Sequence, residues 1–260
     1  MKRLTNFLSS LPRLLPTKLL FYPWAVVFFS WLLLSAILSL PLILFQFGNP
    51  ANNRRYGNYY APIARFLLGM KVDVEGWENW RKELPGIYVA NHQSMIDMSV
   101  FTVVLAPDAA LIGKREILYV PIWGLMFAAF GNILINRKNR AHSIAGLKEA
   151  VEAIKNRKRC IFILPEGTRS QAPGLLPFKK GAFHMAIEAQ VPLLPLVCAT
   201  QSPFYNLREA RVRKATIGVE ILPAIPTVGL TLEDVPALME RTRTEMLKAL
   251  DRANARSKFR

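Results

Sequence analysis

Apolar positions follow three successive patterns along this chain. From 19 to 47 they run almost unbroken, 29 residues without a charge, whereas about 20 residues of helix suffice to cross a bilayer core about 30 Å thick. This stretch belongs in or on a membrane. Pro23 and Pro41 bracket the piece 24–40, which at 1.5 Å per residue is about 25 Å long and could span thinly or bend back. From 54 to 70, Tyr56, Tyr60, Ile63 and Leu67 recur at helical spacing beside Arg54, Arg55 and Arg65. That predicts a basic amphipathic helix, lying along lipid headgroups or packed as a linker on the domain that follows.

From Lys71 onward, short apolar runs alternate with helical patterns. This predicts an α/β fold with a mostly parallel central sheet of about seven strands flanked by helices, behind an N-terminal apolar helical membrane anchor. The strands are expected at 72–74, 87–90, 110–113, 133–135, 160–164, 193–199 and 216–222. The clearest helix covers 141–157, where Ile144, Leu147, Val151 and Ile154 form one stripe opposite Lys148, Glu149, Glu152 and Lys155. Another starts at a capping box, Thr231 with Asp234, and runs to about 250. The division is then an anchor and amphipathic helix over 1–70, an α/β domain over 71–250, and a loose basic tail over 251–260.

Charge sharpens the membrane reading. The chain has 260 residues and a formal net charge of +16, which favours anionic surfaces. No acidic residue precedes Asp73, while Lys2, Arg3, Arg13, Lys18, Arg54, Arg55, Arg65 and Lys71 flank the apolar segment on both sides. A single crossing obtains no clean orientation from that distribution. A hairpin or interfacial anchor with both ends cytoplasmic fits it better. Trp24 and Trp31 are interfacial anchors or helix-packing residues. A secretory signal would need an apolar region of about 7–15 residues and a small-residue cleavage site, and neither pattern is present. Basicity beside an apolar anchor, without a nucleic-acid motif, points to phospholipid rather than nucleic acid.

The chemistry concentrates in two segments. After the strand at 87–90 comes Asn91-His92-Gln93-Ser94-Met95-Ile96-Asp97. On one regular helix His92 and Asp97 would stand about 140° apart and could not meet. They meet if His92 sits in the turn and Ser94 caps a helix whose first turn holds Asp97. A carboxylate on one imidazole nitrogen then orients the other as a general base. The bland alternative is that Ser94 and Asp97 form a capping box and His92 merely precedes it. The second segment is Pro165-Glu166-Gly167-Thr168-Arg169-Ser170. There Gly167 permits close backbone approach and Arg169 can grip a phosphate through paired hydrogen bonds. Lys114, Arg115, Arg137, Lys179 and Lys180 fall near the same strand ends, where open α/β sheets bind ligands.

These segments, in this order, resemble the glycerolipid acyltransferases, specifically the bacterial 1-acyl-glycerol-3-phosphate acyltransferase family. Residues 91–97 resemble its His-x4-Asp block, 131–137 its second block, 165–170 its third and 191–196 its fourth. The resemblance implies a general base at His92 oriented by Asp97. It also implies acceptor-phosphate binding by Arg169 with Lys114 and Arg137, in a pocket shaped by Glu166, Gly167 and Thr168, with Pro192 and Pro195 placing apolar wall for the acyl chain. Asn136 stands where the family often has aspartate, and Leu164 where it often has phenylalanine. The implied reaction moves an acyl group from an acyl-CoA or acyl-ACP thioester to the sn-2 hydroxyl of lysophosphatidic acid, giving phosphatidic acid, at the cytoplasmic face of the inner membrane. No cofactor or metal is required. Glycerol-3-phosphate or a lyso-aminolipid as acceptor, a hydrolase using the same base on water, and a basic lipid-binding protein without catalysis are the rival readings. His142 and His184 lack second ligands at metal spacing and read as structural. Cys160 and Cys198 sit in apolar runs and read as buried thiols rather than nucleophiles.

Overall fold

The computed structural model describes residues 17–80, 85–136, 140–170 and 174–259. Helices α1 (Thr17–Ile37), α2 (Leu40–Phe45) and α3 (Ala51–Leu67) precede the sheet. Strands β1 (Met70–Glu75), β2 (Ile87–Ala90), β3 (Ala110–Lys114), β4 (Ile133–Ile135), β5 (Ile161–Ile163) and β6 (Leu193–Cys198) follow. Between them lie α4 (Asp97–Phe101), α5 (Trp123–Ala129), α6 (Arg140–Arg157) and α7 (Gly181–Ala189). A hairpin of β7 (Tyr205–Asn206) and β8 (Arg211–Val212), then β9 (Ala215–Ile221), α8 (Val235–Arg256) and β10 (Lys258–Phe259) complete the chain.

All seven expected strands form in one sheet of order β1-β9-β6-β2-β5-β3-β4, with β10 added on β9. Strands β2 to β6 run parallel, and the direction reverses where β9 pairs antiparallel with β6. Every residue of β2, β5 and β6 is buried, which is why these segments read as continuous apolar runs rather than alternations. On α6, Val151 and Ile154 are buried but Ile144 is 44% exposed. Its inner face instead passes through Gly146 and Ala150, small enough to let the helix close on the sheet.

The N-terminal helices pack on one another and on the α/β layer. Trp24 Nε1 donates to Leu67 O at 2.7 Å, Trp31 Nε1 to Tyr60 O at 3.2 Å, and the Ser35 hydroxyl meets the Tyr56 hydroxyl at 2.9 Å. As one residue number rises the other falls in step, so α1 and α3 lie antiparallel. Both tryptophans therefore serve helix packing. α1 continues through Pro23, because the missing N–H and the ring disturb only a hydrogen bond near its N-terminus. On α3 the buried face is Asn53, Tyr56, Gly57, Tyr60, Ala61 and Ala64. Ile63, expected on that stripe, is 43% exposed. The linker-type packing is the one adopted, and a single buried cluster joins Phe28, Tyr56 and Tyr60 to the strands. The opposite face of α1 and α2 stays open, with Val26, Leu34, Leu44 and Phe45 exposed. The stretch Phe21–Phe45 is long and apolar enough to cross a membrane, with a mean hydropathy of 2.4.

The loose tail expected over 251–260 is not found among the residues described. α8 continues to Arg256 and β10 pairs with β9, because its arginines meet a row of carboxylates on β1 and β9. Arg252 holds Glu220 through Nε at 3.0 Å, and Arg256 reaches Glu75 at 2.7 Å and Glu220 at 3.4 Å. Gly218 lets this helix approach, since a Cβ there would lie 2.4 Å from Ala253 O. Arg256→Ala should lower stability by about 1–3 kcal/mol, less than a fully buried pair because Asp73 and Glu75 are half exposed. A thermal melt unchanged by this substitution would show that the cluster is only a solvated charge face.

Candidate active site

Strands β2, β5 and β3 are parallel neighbours, so the residues beyond their carboxyl ends converge. His92 lies two residues past β2, Lys114 ends β3, and the loop 165–170 follows β5. The expected convergence at the strand ends holds for these three. Arg137 lies outside the described residues.

The turn after β2 is built by backbone N–H groups that find no strand partner. His92 Nδ1 donates to Asp97 Oδ2 at 2.7 Å, and the same oxygen accepts Gln93 N at 2.8 Å and Ser94 N at 3.2 Å. Asp97 is 2% exposed and opens α4. The capping box is not formed: the Ser94 hydroxyl turns to Gln201 Oε1 and accepts Ile96 N. The Asp97 carboxylate has no proton of its own to share, so it selects the tautomer with hydrogen on Nδ1. The lone pair of Nε2 is then left toward the cavity that His92 lines.

The loop 165–170 is fastened to this turn at both ends. Glu166 Oε1 accepts His92 N at 2.7 Å, Glu166 Oε2 accepts Leu176 N at 2.8 Å, and Ser170 N donates to His92 O at 2.7 Å. Burial pushes the Glu166 carboxyl pKa up, against the opposing pull of its two backbone donors. Glu166 is thus a brace behind the wall, while Gly167, Thr168 and Arg169 line the cavity. Gly167 adopts φ +72°, a left-handed turn that favours glycine and brings Thr168 and Arg169 round to the opening. Both are exposed, and neither Arg169 nor Lys114 forms an ion pair among the described residues.

The cavity measures about 910 Å³ and is chiefly apolar below its charged mouth. Phe29, Leu32 and Leu33 of α1, Met95 just before α4, Met98 within it, and Trp123, Met126 and Phe127 of α5 form its walls. Leu111, Ile112, Gly113 and Lys114 of β3 also line it, as do Asn53 and Asn132, whose amides pair at 2.7 and 3.0 Å. Lys179, Lys180, Pro192 and Pro195 do not line it. Pro195 instead lies within β6, beside Val89 of β2. The apolar wall comes from α1 and α5, elements that a scan of strand-end motifs does not connect to the site. Also unforeseen were Asn91, whose amide exchanges two 2.8 Å bonds with the backbone of Cys198, and Gln93 and Gln201. No spacing in the sequence marks any of the three.

Cys160 and Cys198 are buried and free, and burial pushes both thiol pKa values up, that of Cys160 to about 11. His142 is exposed on α6 and His184 half-buried on α7, and neither lines the cavity.

A carboxylate-held imidazole and two cations without ion pairs among the described residues border one chiefly apolar cavity on a largely parallel sheet, an arrangement suited to acyl transfer onto an anionic lipid. The comparisons agree. The acyltransferase family profile matches residues 71–199. The chain is 35% identical to the human 1-acyl-sn-glycerol-3-phosphate acyltransferase alpha, over 90% of this chain and 84% of the relative. To the 1-acyl-sn-glycerol-3-phosphate acyltransferase of Escherichia coli K12 it is 36% identical, over 78% and 82%. The crystal structure of the 1-acyl-sn-glycerophosphate (LPA) acyltransferase PlsC from Thermotoga maritima shares the fold, with a TM-score of 0.69 and 24% identity over 98% of this chain and 99% of that one. The chain belongs to the 1-acyl-sn-glycerol-3-phosphate acyltransferase family.

Proposed function

We propose that this protein transfers a fatty acyl group from a thioester to the sn-2 hydroxyl of lysophosphatidic acid, giving phosphatidic acid. The observation that carries the proposal is that His92, Lys114 and Arg169 line one cavity. His92 Nε2 takes the proton of the acceptor hydroxyl as its oxygen attacks the thioester carbonyl. The carbon–sulfur bond then breaks, and the proton on the imidazole passes to the departing thiolate. Arg169 and Lys114, together with Arg137, hold the acceptor phosphate. Acyl chains occupy the apolar cavity. The open face of α1 and α2 seats the enzyme in a phospholipid membrane, on the cytoplasmic side of the inner membrane where acyl-ACP or acyl-CoA is supplied.

The decisive assay uses the purified enzyme in detergent, with acyl-ACP or acyl-CoA as donor and lysophosphatidic acid, glycerol-3-phosphate or no acceptor. Phosphatidic acid should form only with lysophosphatidic acid. Equal thioester consumption without acceptor would make the protein a hydrolase. Arg169→Ala should raise KM for lysophosphatidic acid about 10- to 100-fold, the loss of one or two hydrogen bonds to a charged group, and leave KM for the thioester within about twofold. A raised donor KM instead would move Arg169 to the thioester.

A further inference from the structure

Asp97 owes its geometry to more than its own turn. Three donors converge on Oδ2, and all come from residues 92–94. Oδ1 receives Gln201 Nε2 at 2.7 Å, from a residue 104 positions away in the loop after β6. Gln201 is 1% exposed; its carbonyl accepts Phe204 N and Tyr205 N, and two more of its groups meet the same turn. Its Oε1 accepts the Ser94 hydroxyl and its backbone N donates to Gln93 Oε1 at 2.8 Å. The amide orientation follows from these partners, because an acceptor-only carboxylate must face the NH2 end.

We propose that Gln201 is a positioning residue for the reaction, fixing the plane of the Asp97 carboxylate and through it the Nδ1–H tautomer of His92. This rests on the reading of His92 as the general base. The physical need is specific. A carboxylate that turns about its Cβ–Cγ bond moves both oxygens at once, so the donors on Oδ2 and the single donor on Oδ1 hold its plane together. Gln201 is that single donor. Without it Oδ1 is a buried acceptor lacking a partner, which favours rotation or protonation. Either change weakens the hold on Nδ1 and lets the imidazole place its proton on Nε2, where it cannot act as base. Gln201 lies beyond residue 199, where the family match ends, and does not line the cavity; it acts through Asp97.

The test compares wild type with Gln201→Leu and Gln201→Glu. In the folded enzyme Gln201→Leu should lower kcat about 10- to 100-fold, the value of one hydrogen bond to a charged group. KM for both substrates should stay within about twofold. The chain contains only His92, His142 and His184, so nitrogen-15 histidine spectra, assigned with His92→Gln, can read the tautomer directly. Wild type should show one protonated and one bare nitrogen at His92, and Gln201→Leu an averaged pair.

Gln201→Glu is the near-isosteric control. The titratable groups facing position 201 are Asp97, His92 beyond it, and the Cys198 thiol 3.3 Å away, which burial keeps protonated. The two carboxyls share a proton as pH falls, and the protonated Glu again donates to Asp97. The ratio of variant to wild-type kcat should therefore rise toward acid pH. Folded variants with kcat within twofold, a flat ratio and an unchanged His92 tautomer would overturn the proposal. The spectra need no substrate, so a wild-type enzyme that transfers no acyl group would sink the proposed function while leaving the role of Gln201 measurable.

Discussion

Replacing His92 by alanine should lower kcat by about 10² to 10⁴, the range for a lost general base, with the KM of both substrates little changed. The expectation follows from the position of the ring. Its Nδ1 is committed to Asp97 at 2.7 Å, and its other nitrogen borders a cavity where no second imidazole enters. The remaining histidines line a different part of the molecule and cannot substitute. Steady-state kinetics on the purified variant, with folding checked by circular dichroism, measure the loss. A folded variant within tenfold of wild type would remove His92 from the chemistry and leave the cations as a mere lipid-binding surface.

Asp97→Asn should cost nearly as much, about 10² to 10⁴ in kcat, by comparison with the oriented imidazole of catalytic triads. The side chain is almost the same size, so packing does not decide the outcome. Hydrogen-bond polarity does. Both carboxylate oxygens receive donors, from His92, Gln93 and Ser94 on one and from Gln201 on the other. An asparagine has one oxygen and one NH2, so in either orientation two donors are forced together. With the NH2 toward His92, the imidazole must accept at Nδ1 and carry its proton on Nε2, where a base is needed. Activity near wild type would mean that Asp97 only builds the turn.

Much of this molecule is legible without coordinates, for a local reason. The strands at 87–90, 161–163 and 193–198 are buried on both faces, and double burial leaves a run of apolar residues that can be read directly. The capping box of Thr231 and Asp234 closes within four residues and forms as expected. Where local pattern misled, a distant neighbour had decided. The stripe on α6 shifted to its small residues because the sheet needed close approach. Residues 251–259 are ordered because Arg252 and Arg256 find carboxylates on β1 and β9. The Ser94 hydroxyl accepts Ile96 N rather than Asp97 N while donating to Gln201, a partner 107 positions away.

The sequence by itself determined the strands and the apolar N-terminal segment, which depend on periodicity, while the spacing of His92 and Asp97 allowed their pairing or a capping box and the fold chose the pairing. Only the tertiary structure decided that α1 and α5 wall the cavity, that Glu166 braces the turn from behind, and that Gln201 completes the shell of Asp97. Those contacts close loops of many tens of residues, and which partner is met at closure depends on the order of strands in the sheet, a property no local spacing encodes.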